Sequence, residues 1–196
     1  MSQRKKRVWL LAKTFSAVEG GMVFTEREDL RRTAAMIRSQ GESPDEKYFH
    51  PVLGHNYRMS DLHAAVGLAQ LGRYEDVLRA RADAARRYTA RLRTVGGLDV
   101  PEVAAGNEHA WFLYPLLVPK RDAVRRELRE RGIETNVSWP RAIYEQPPFA
   151  PFRRRACPVS ERLCREVLCL PLYYGMTETE QDLVVDALGE AIERCR

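Results

Sequence analysis

A long arginine-rich segment, residues 74–95, most constrains how this chain can fold. Its apolar residues recur at helical spacing and would share one face of an amphipathic helix. Those residues are Val77, Ala80, Ala84, Tyr88 and Leu92. Gly96-Gly97 follows, and glycine commonly ends helices. The hydrophobic patterns differ before and after this helix, which predicts two domains, residues 1–95 and residues 96–196.

The first part contains two short apolar runs, residues 8–12 and 22–25, which predict buried strands. An amphipathic helix is expected over residues 27–39, with Thr25 and Glu28 as a capping box. Residues 41–57 are polar and rich in Gly, Pro and His, which predicts a long loop. Ser60 can cap a second helix, whose small apolar residues form one expected packing stripe. That stripe consists of Leu62, Ala65, Val66 and Ala69.

After Gly97, strand and helix patterns alternate, which is typical of a compact α+β unit. Strands are expected over residues 110–118, 133–139 and 168–172. Helices are expected over residues 121–131, 160–167 and 177–193, the last capped by Thr177 with Glu180. A proline-dense loop is expected over residues 140–158.

The net charge of +5 comes partly from the basic runs at residues 4–7 and 153–155. We interpret these runs as solvated surface, with an anionic small substrate as a second possibility, because no nucleic-acid-binding motif accompanies them. The four cysteines show no C-x-x-C spacing, so free thiols in a reducing cytoplasm are favoured over a zinc site. No apolar stretch is long enough to span a membrane.

Lys13 is the first candidate for chemistry. It follows an apolar run and precedes Glu19-Gly20-Gly21, and paired glycines permit a tight backbone path beside a ligand. A lysine amine can form a Schiff base with a carbonyl cofactor. Without further context, a lysine in this position is more often a strand end that reaches solvent.

Two stretches together resemble the DegT/DnrJ/StrS family of nucleotide-sugar aminotransferases, which belong to the fold-type I enzymes that use pyridoxal 5′-phosphate. The first is the lysine segment, K-T-F-S-A-V-E-G-G at residues 13–21. The second is G-H-N-Y-R-M-S-D-L at residues 54–62. Residues 158–192 also fit the family. The resemblance implies an α/β fold: the C-terminal part of a fold-type I large domain, residues 1–95, followed by a small α+β domain, residues 96–196.

The resemblance also implies roles for three residues. Lys13 would hold pyridoxal phosphate and shuttle a proton, whereas a histidine there would favour the dehydrating branch of the family. Asn56 matches the asparagine that contacts the cofactor phosphate of the other subunit in a dimer, and Arg58 is expected to bind phosphate or to brace the loop. His63 and His109 are expected to be structural.

The activity implied is transamination of a nucleotide-linked keto-sugar, with glutamate as the expected amino donor, for polysaccharide or secondary-metabolite biosynthesis. The family's lysine lies near mid-chain, so the resemblance also implies that this sequence is a C-terminal portion without the family's N-terminal half. The expected assembly is a homodimer or a complex with a partner chain that supplies this half. The phosphate loop, the ring-stacking aromatic residue and the acid that pairs with the pyridinium nitrogen lie in that half. Ser138 stands where the family commonly has a histidine near the substrate. The alternative is a non-catalytic dimer partner or an inactive remnant.

Overall fold

The computed structural model describes residues 7–12, as backbone, and residues 14–196. These residues form two compact units, Met1–Glu75 and Asp76–Arg196. The division lies near the start of the long helix, whereas the sequence pattern placed the boundary at its end. The reason is that the buried face of this helix belongs to the core of the second unit, through Ala85, Tyr88 and Leu92.

The first unit contains a hairpin and two helices. Strands β1 (Arg7–Ala12) and β2 (Ser16–Phe24) pair antiparallel, with Val8 opposite Val23 and a bulge before Ala12 meets Ser16. Helices α1 (Glu28–Arg38) and α2 (Asp61–Leu71) follow, separated by the long loop that the sequence predicts.

Three predictions for this unit are wrong. Strand β2 is exposed rather than buried, since Ala17 is its one buried residue. The capping box at α1 is absent: Thr25 Oγ1 accepts from Arg27 N at 3.2 Å, and the Glu28 carboxylate binds Arg31 instead. The expected packing stripe of α2 is exposed along its whole length, because the helix approaches β2 through Gly67.

The second unit is built on the long helix α3 (Tyr74–Leu92) and a two-stranded antiparallel sheet. The strands are β3 (Tyr114–Leu117) and β4 (Val167–Leu170). Helices α4 (Arg121–Glu130), α5 (Pro158–Glu166) and α6 (Glu178–Arg194) complete it. Two short 3₁₀ helices, Ile143–Glu145 and Pro147–Phe152, lie within the proline-dense segment.

Two expected strands differ from the structure. Residues 133–139 form no strand, and only Asn136 pairs, through a bridge to Cys169. The strand expected over residues 110–118 is limited to Tyr114–Leu117, since Trp111 adopts φ 47°, outside the extended region. The expected cap of α6 is confirmed: Thr177 Oγ1 accepts from Glu180 N, and the Glu180 carboxylate accepts from Thr177 N at 2.7 Å. This bond from the Thr177 backbone holds the pKa of Glu180 below its usual value.

Arg81 of α3 ties together two segments of the second unit, a role that the sequence pattern did not reveal. Its Nη1 donates to the carbonyl oxygens of Trp111 at 2.9 Å, Phe112 at 3.2 Å and Leu172 at 3.1 Å. Burial lowers the pKa of this guanidinium. His109 Nδ1 accepts a hydrogen bond from Trp111 N at 2.9 Å, which fits the structural role expected for this histidine.

Candidate functional site

The loop between α1 and α2 carries two of the three predicted site residues, Asn56 and Arg58. Residues 55–57 of this loop are fastened to the last turn of α1 and to the residue after it. His55 N donates to Ile37 O at 2.8 Å, and Tyr57 N donates to Arg38 O at 2.9 Å. Asn56 itself pairs with Ser39 as an antiparallel bridge. The backbone on both sides of Asn56 is therefore fixed by hydrogen bonds.

Two glycines make this close path possible, and the sequence analysis did not single them out. A Cβ on Gly54 would collide with the backbone of Gln40 and Gly41, and a Cβ on Gly41 would collide with Val52 O. Gly41 also has φ +82°, a conformation that side-chain-bearing residues rarely adopt. The sequence does show two glycines within a polar loop. It does not show that these two glycines contact each other.

Helix α2 begins at Asp61, three residues after Arg58. Ser60 caps α2 as predicted: its Oγ accepts from His63 N at 3.4 Å and lies 2.9 Å from His63 Nδ1. His63 is thus part of the cap, in agreement with its expected structural role. Arg58 lies in the short segment between the fastened backbone of Tyr57 and this cap, so both ends of its segment are held.

The side chains of Asn56 and Arg58 are exposed. Neither makes a side-chain hydrogen bond or ion pair with the part of the chain that the structure describes. An amide and a guanidinium that are free to donate form a donor set suited to an anion, above all to phosphate oxygens. On this chemistry the loop fits the phosphate end of pyridoxal phosphate.

The third predicted site residue, Lys13, lies outside the described residues. Its neighbours are described: Ala12 ends β1, and Ser16 opens β2 opposite it. Downstream, Val18 has φ 68°, a left-handed conformation that is strained for a β-branched residue. Its backbone N donates to Ser16 Oγ at 3.2 Å, which helps to hold this turn of the chain. Gly20 also has positive φ, at 144°, in agreement with the flexibility expected of the glycine pair.

We expect Gly54→Ala to displace the Asn56 loop, because the new methyl group would overlap the backbone of Gly41. Amide hydrogen exchange of His55 and Tyr57 should accelerate at least tenfold as their bonds to α1 weaken. Gly72→Ala is the matched control, since its Cβ would meet no atom closer than 3.7 Å and its φ is −62°. Equal protection of the loop in the two variants would contradict the packing described here.

No group of three or more His, Cys, Asp or Glu side chains in residues 14–196 is placed to hold a metal ion. The four cysteines are free thiols, and burial raises the pKa of Cys169. Among the helices of the described residues, none has the length and hydropathy needed to cross a membrane.

Comparison with known proteins identifies the family. The sequence profile of the DegT/DnrJ/EryC1/StrS aminotransferase family matches residues 11–189. The chain belongs to this family. The matched region includes Lys13, Asn56 and Arg58, so the resemblance carried by the two motifs is confirmed at the level of the family.

Individual proteins of similar sequence are consistent with this family assignment. The GDP-perosamine synthase of Caulobacter vibrioides is 32% identical over 186 residues, which are 92% of this chain and 50% of that protein. The dTDP-3-amino-3,4,6-trideoxy-alpha-D-glucose transaminase of Micromonospora megalomicea is 31% identical over 180 residues, 89% of this chain and 48% of that protein. The chain thus spans about half the length of the curated relatives that it matches.

A solved structure shows the same architecture. The crystal structure of S. venezuelae DesV in complex with a ketimine intermediate superposes with a TM-score of 0.91 at 26% identity. The match covers 98% of this chain and 53% of the DesV chain. The predicted fold class, an α/β portion of a fold-type I enzyme followed by an α+β part, is confirmed.

Proposed function

We propose that this chain supplies the lysine-bearing portion of a pyridoxal-phosphate-dependent aminotransferase that acts on a nucleotide-linked keto-sugar. The observation that carries the proposal is the family match over residues 11–189, which includes the lysine segment and the Asn56 loop. The reaction transfers an amino group from a donor amino acid, for which we propose glutamate, to the sugar carbonyl. The donor leaves as its 2-oxo acid, and the product is an amino sugar.

Pyridoxal phosphate, when bound, supplies an electron sink for the negative charge left on carbon after a proton is removed. Lys13 would hold the cofactor through its Nζ. The same Nζ, once released, would take the proton from the donor's α-carbon and deliver a proton at the carbon that becomes the amine-bearing centre. Proton transfer by a positioned side chain typically contributes about 10²- to 10⁴-fold to a rate.

Asn56 and Arg58 would bind the phosphate group. The amide NH₂ of Asn56 and the guanidinium of Arg58 donate hydrogen bonds, and the charge of Arg58 adds to the attraction. Because the backbone around Asn56 is fastened to α1, the loop needs no ordering of its backbone when the anion binds, which lowers the entropic cost of binding. We propose that the remaining contacts to the cofactor come from a partner polypeptide or from a second copy of the chain.

Borohydride reduction in the presence of pyridoxal phosphate tests the assignment of Lys13. Reduction converts a bound imine to a stable amine, so peptide mapping should place the label on Lys13, and Lys13→Arg should remove it. Lys120→Arg serves as the control, because Lys120 Nζ is occupied by a hydrogen bond to Arg196 O at 2.6 Å. Asn56→Ala and Arg58→Ala should each raise the cofactor concentration needed for half-maximal labelling. Label spread evenly over the lysines would contradict the proposal and favour an inactive remnant.

A further inference from the structure

A groove along α3 takes no part in the proposed function. It lies wholly within the second unit and has a volume of about 440 Å³. Ligand pockets in proteins typically enclose about 300–1,000 Å³, so the groove can admit a small molecule. Its walls include Arg93, which directly follows α3, together with Glu102 and Trp111. A second hollow of about 540 Å³ also has Arg93 and Glu102 in its walls, so these two charged side chains lie where the hollows meet.

Arg93 differs from the arginines within α3, because its guanidinium has no partner among the residues that the structure describes. The arginines of the helix are all bound. Arg81 binds backbone carbonyl oxygens, and the others bind acidic side chains: Arg79, Arg86, Arg87 and Arg91. Arg93 therefore presents unused guanidinium donors to the groove.

The charge of Arg93 lies close to the groove wall. Arg93 N donates to Thr89 O at 3.2 Å, so the two residues are one helical turn apart. Thr89 lines the groove, and its Oγ1 lies 2.7 Å from the Tyr114 hydroxyl. Burial raises the pKa of Tyr114, whereas this hydrogen bond and the charge of Arg93 lower it. The guanidinium is therefore near enough to the Thr89–Tyr114 pair to act on it.

Glu102 brings a negative charge to the same groove. Its carboxylate makes no ion pair or hydrogen bond with the described part of the chain, so it does not neutralise Arg93 directly. A simple anion would be attracted by Arg93 and repelled by Glu102, and a simple cation would meet the reverse. A ligand that carries one charge of each sign satisfies both side chains.

Trp111 adds a fixed aromatic surface to this pair of charges. Its ring stacks on that of Tyr114, with the ring centroids 5.6 Å apart and the planes 21° from parallel. Its backbone is held as well, since its carbonyl accepts from Arg81 and its N donates to His109, each at 2.9 Å. A ring held in this way is a ready contact for an aromatic or apolar group of a ligand.

We propose that the groove binds a free α-amino acid with an aromatic or apolar side chain. Arg93 binds the carboxylate, for which a guanidinium offers paired N–H donors. Glu102 accepts hydrogen bonds from the ammonium group, and the side chain of the ligand lies against Trp111. The groove shares no residue with the candidate cofactor site, so the proposal goes beyond the aminotransferase function and does not depend on it.

Titration of the 196-residue chain with L-phenylalanine tests the proposal, with the indole N–H resonance of Trp111 as the readout in heteronuclear NMR. We expect this resonance to shift and to saturate. Hydrocinnamate lacks the ammonium group of L-phenylalanine, and phenethylamine lacks its carboxylate. Each should bind roughly tenfold more weakly than L-phenylalanine, because each loses one set of charge-assisted hydrogen bonds.

Two substitutions separate the charges. Arg93→Gln should weaken the binding of L-phenylalanine roughly tenfold. Glu102→Gln should weaken it as well, but should strengthen the binding of hydrocinnamate, because it removes the repulsion of an anion. Arg125→Gln and Glu130→Gln are the matched controls, since both residues are exposed on α4 and neither lines the groove, and they should leave the affinity unchanged.

Equal affinity for L-phenylalanine and hydrocinnamate would overturn the proposal in favour of a simple anion site. So would a Trp111 resonance that L-phenylalanine leaves unmoved up to its limit of solubility. Borohydride labelling of Lys13 does not involve the groove. A failure of that labelling would therefore count against the aminotransferase function and leave the amino-acid site standing.

Discussion

Turnover of a nucleotide-linked keto-sugar is expected only when the 196-residue chain is combined with the rest of the family's length, and only when Lys13 is present. The reaction needs the cofactor ring, its phosphate and the lysine in fixed relation, and a misplacement of about 1 Å can cost roughly 100-fold in rate. The described loop offers two phosphate donors, Asn56 and Arg58. We expect the chain by itself to show little glutamate-dependent amination, and the reconstituted complex to show much more.

Within the reconstituted complex, Lys13→Ala should lower kcat by at least roughly 10²- to 10⁴-fold, because it removes the group that moves the proton. Lys13→Arg should be equally damaging, since arginine does not give up its proton near neutral pH. Lys120→Ala should retain activity. The measurement is product formation from keto-sugar and glutamate. Robust amination by the purified chain alone, or by the Lys13→Ala complex, would contradict the proposed function.

The second unit was predictable because local and tertiary signals agree there. Helix α6 has a capping box at Thr177 and an apolar face that meets the core, so both its start and its buried side follow from the sequence. Strands β3 and β4 and helices α4 and α5 were likewise expected. Residues 133–139 mix apolar and polar side chains, and only Asn136 finds a partner, at Cys169, so the segment does not become a strand.

The first unit was less predictable because its apolar residues do not face its own interior. The sequence indicates that residues 22–25 and the α2 stripe are apolar, and the ordinary inference is that apolar residues are buried. Here they are exposed, since the helix meets β2 through Gly67. Hydrophobic patterning reveals that a residue is suited to burial; it does not reveal which polypeptide buries it.

In the candidate site, too, the residues could be predicted from the sequence, whereas the contacts that hold them could not. Asn56 and Arg58 were found from residue type and motif, and the structure places both as exposed donors without partners among the described residues. The contacts that hold them were not found, because a backbone bridge between Ser39 and Asn56 and the approach of Gly41 to Gly54 depend on how the loop returns to α1. Contacts between a returning loop and a helix join residues that are distant in sequence, and no periodic pattern of residue types marks them.

Removing a core side chain from the second unit should cost more stability than any surface change in this chain. Leu188 of α6 has no exposed area and belongs to the core cluster formed with Tyr88, Leu116 and Leu168. Leu188→Ala deletes apolar contacts and leaves a cavity, and such changes typically cost about 2–5 kcal/mol. At the upper end of this range the folded-to-unfolded ratio falls by more than about a thousandfold.

Leu183→Ala provides the control on the same helix. Leu183 is 64% exposed, so its truncation should change the free energy of unfolding by no more than about 0.5 kcal/mol. Because the chain forms two units, the measurement is amide exchange in β3 and β4, which reports on the second unit alone. Exchange of Leu116 and Leu168 should accelerate strongly in Leu188→Ala and hardly at all in Leu183→Ala. Equal effects of the two substitutions would mean that α6 does not pack on the sheet through Leu188.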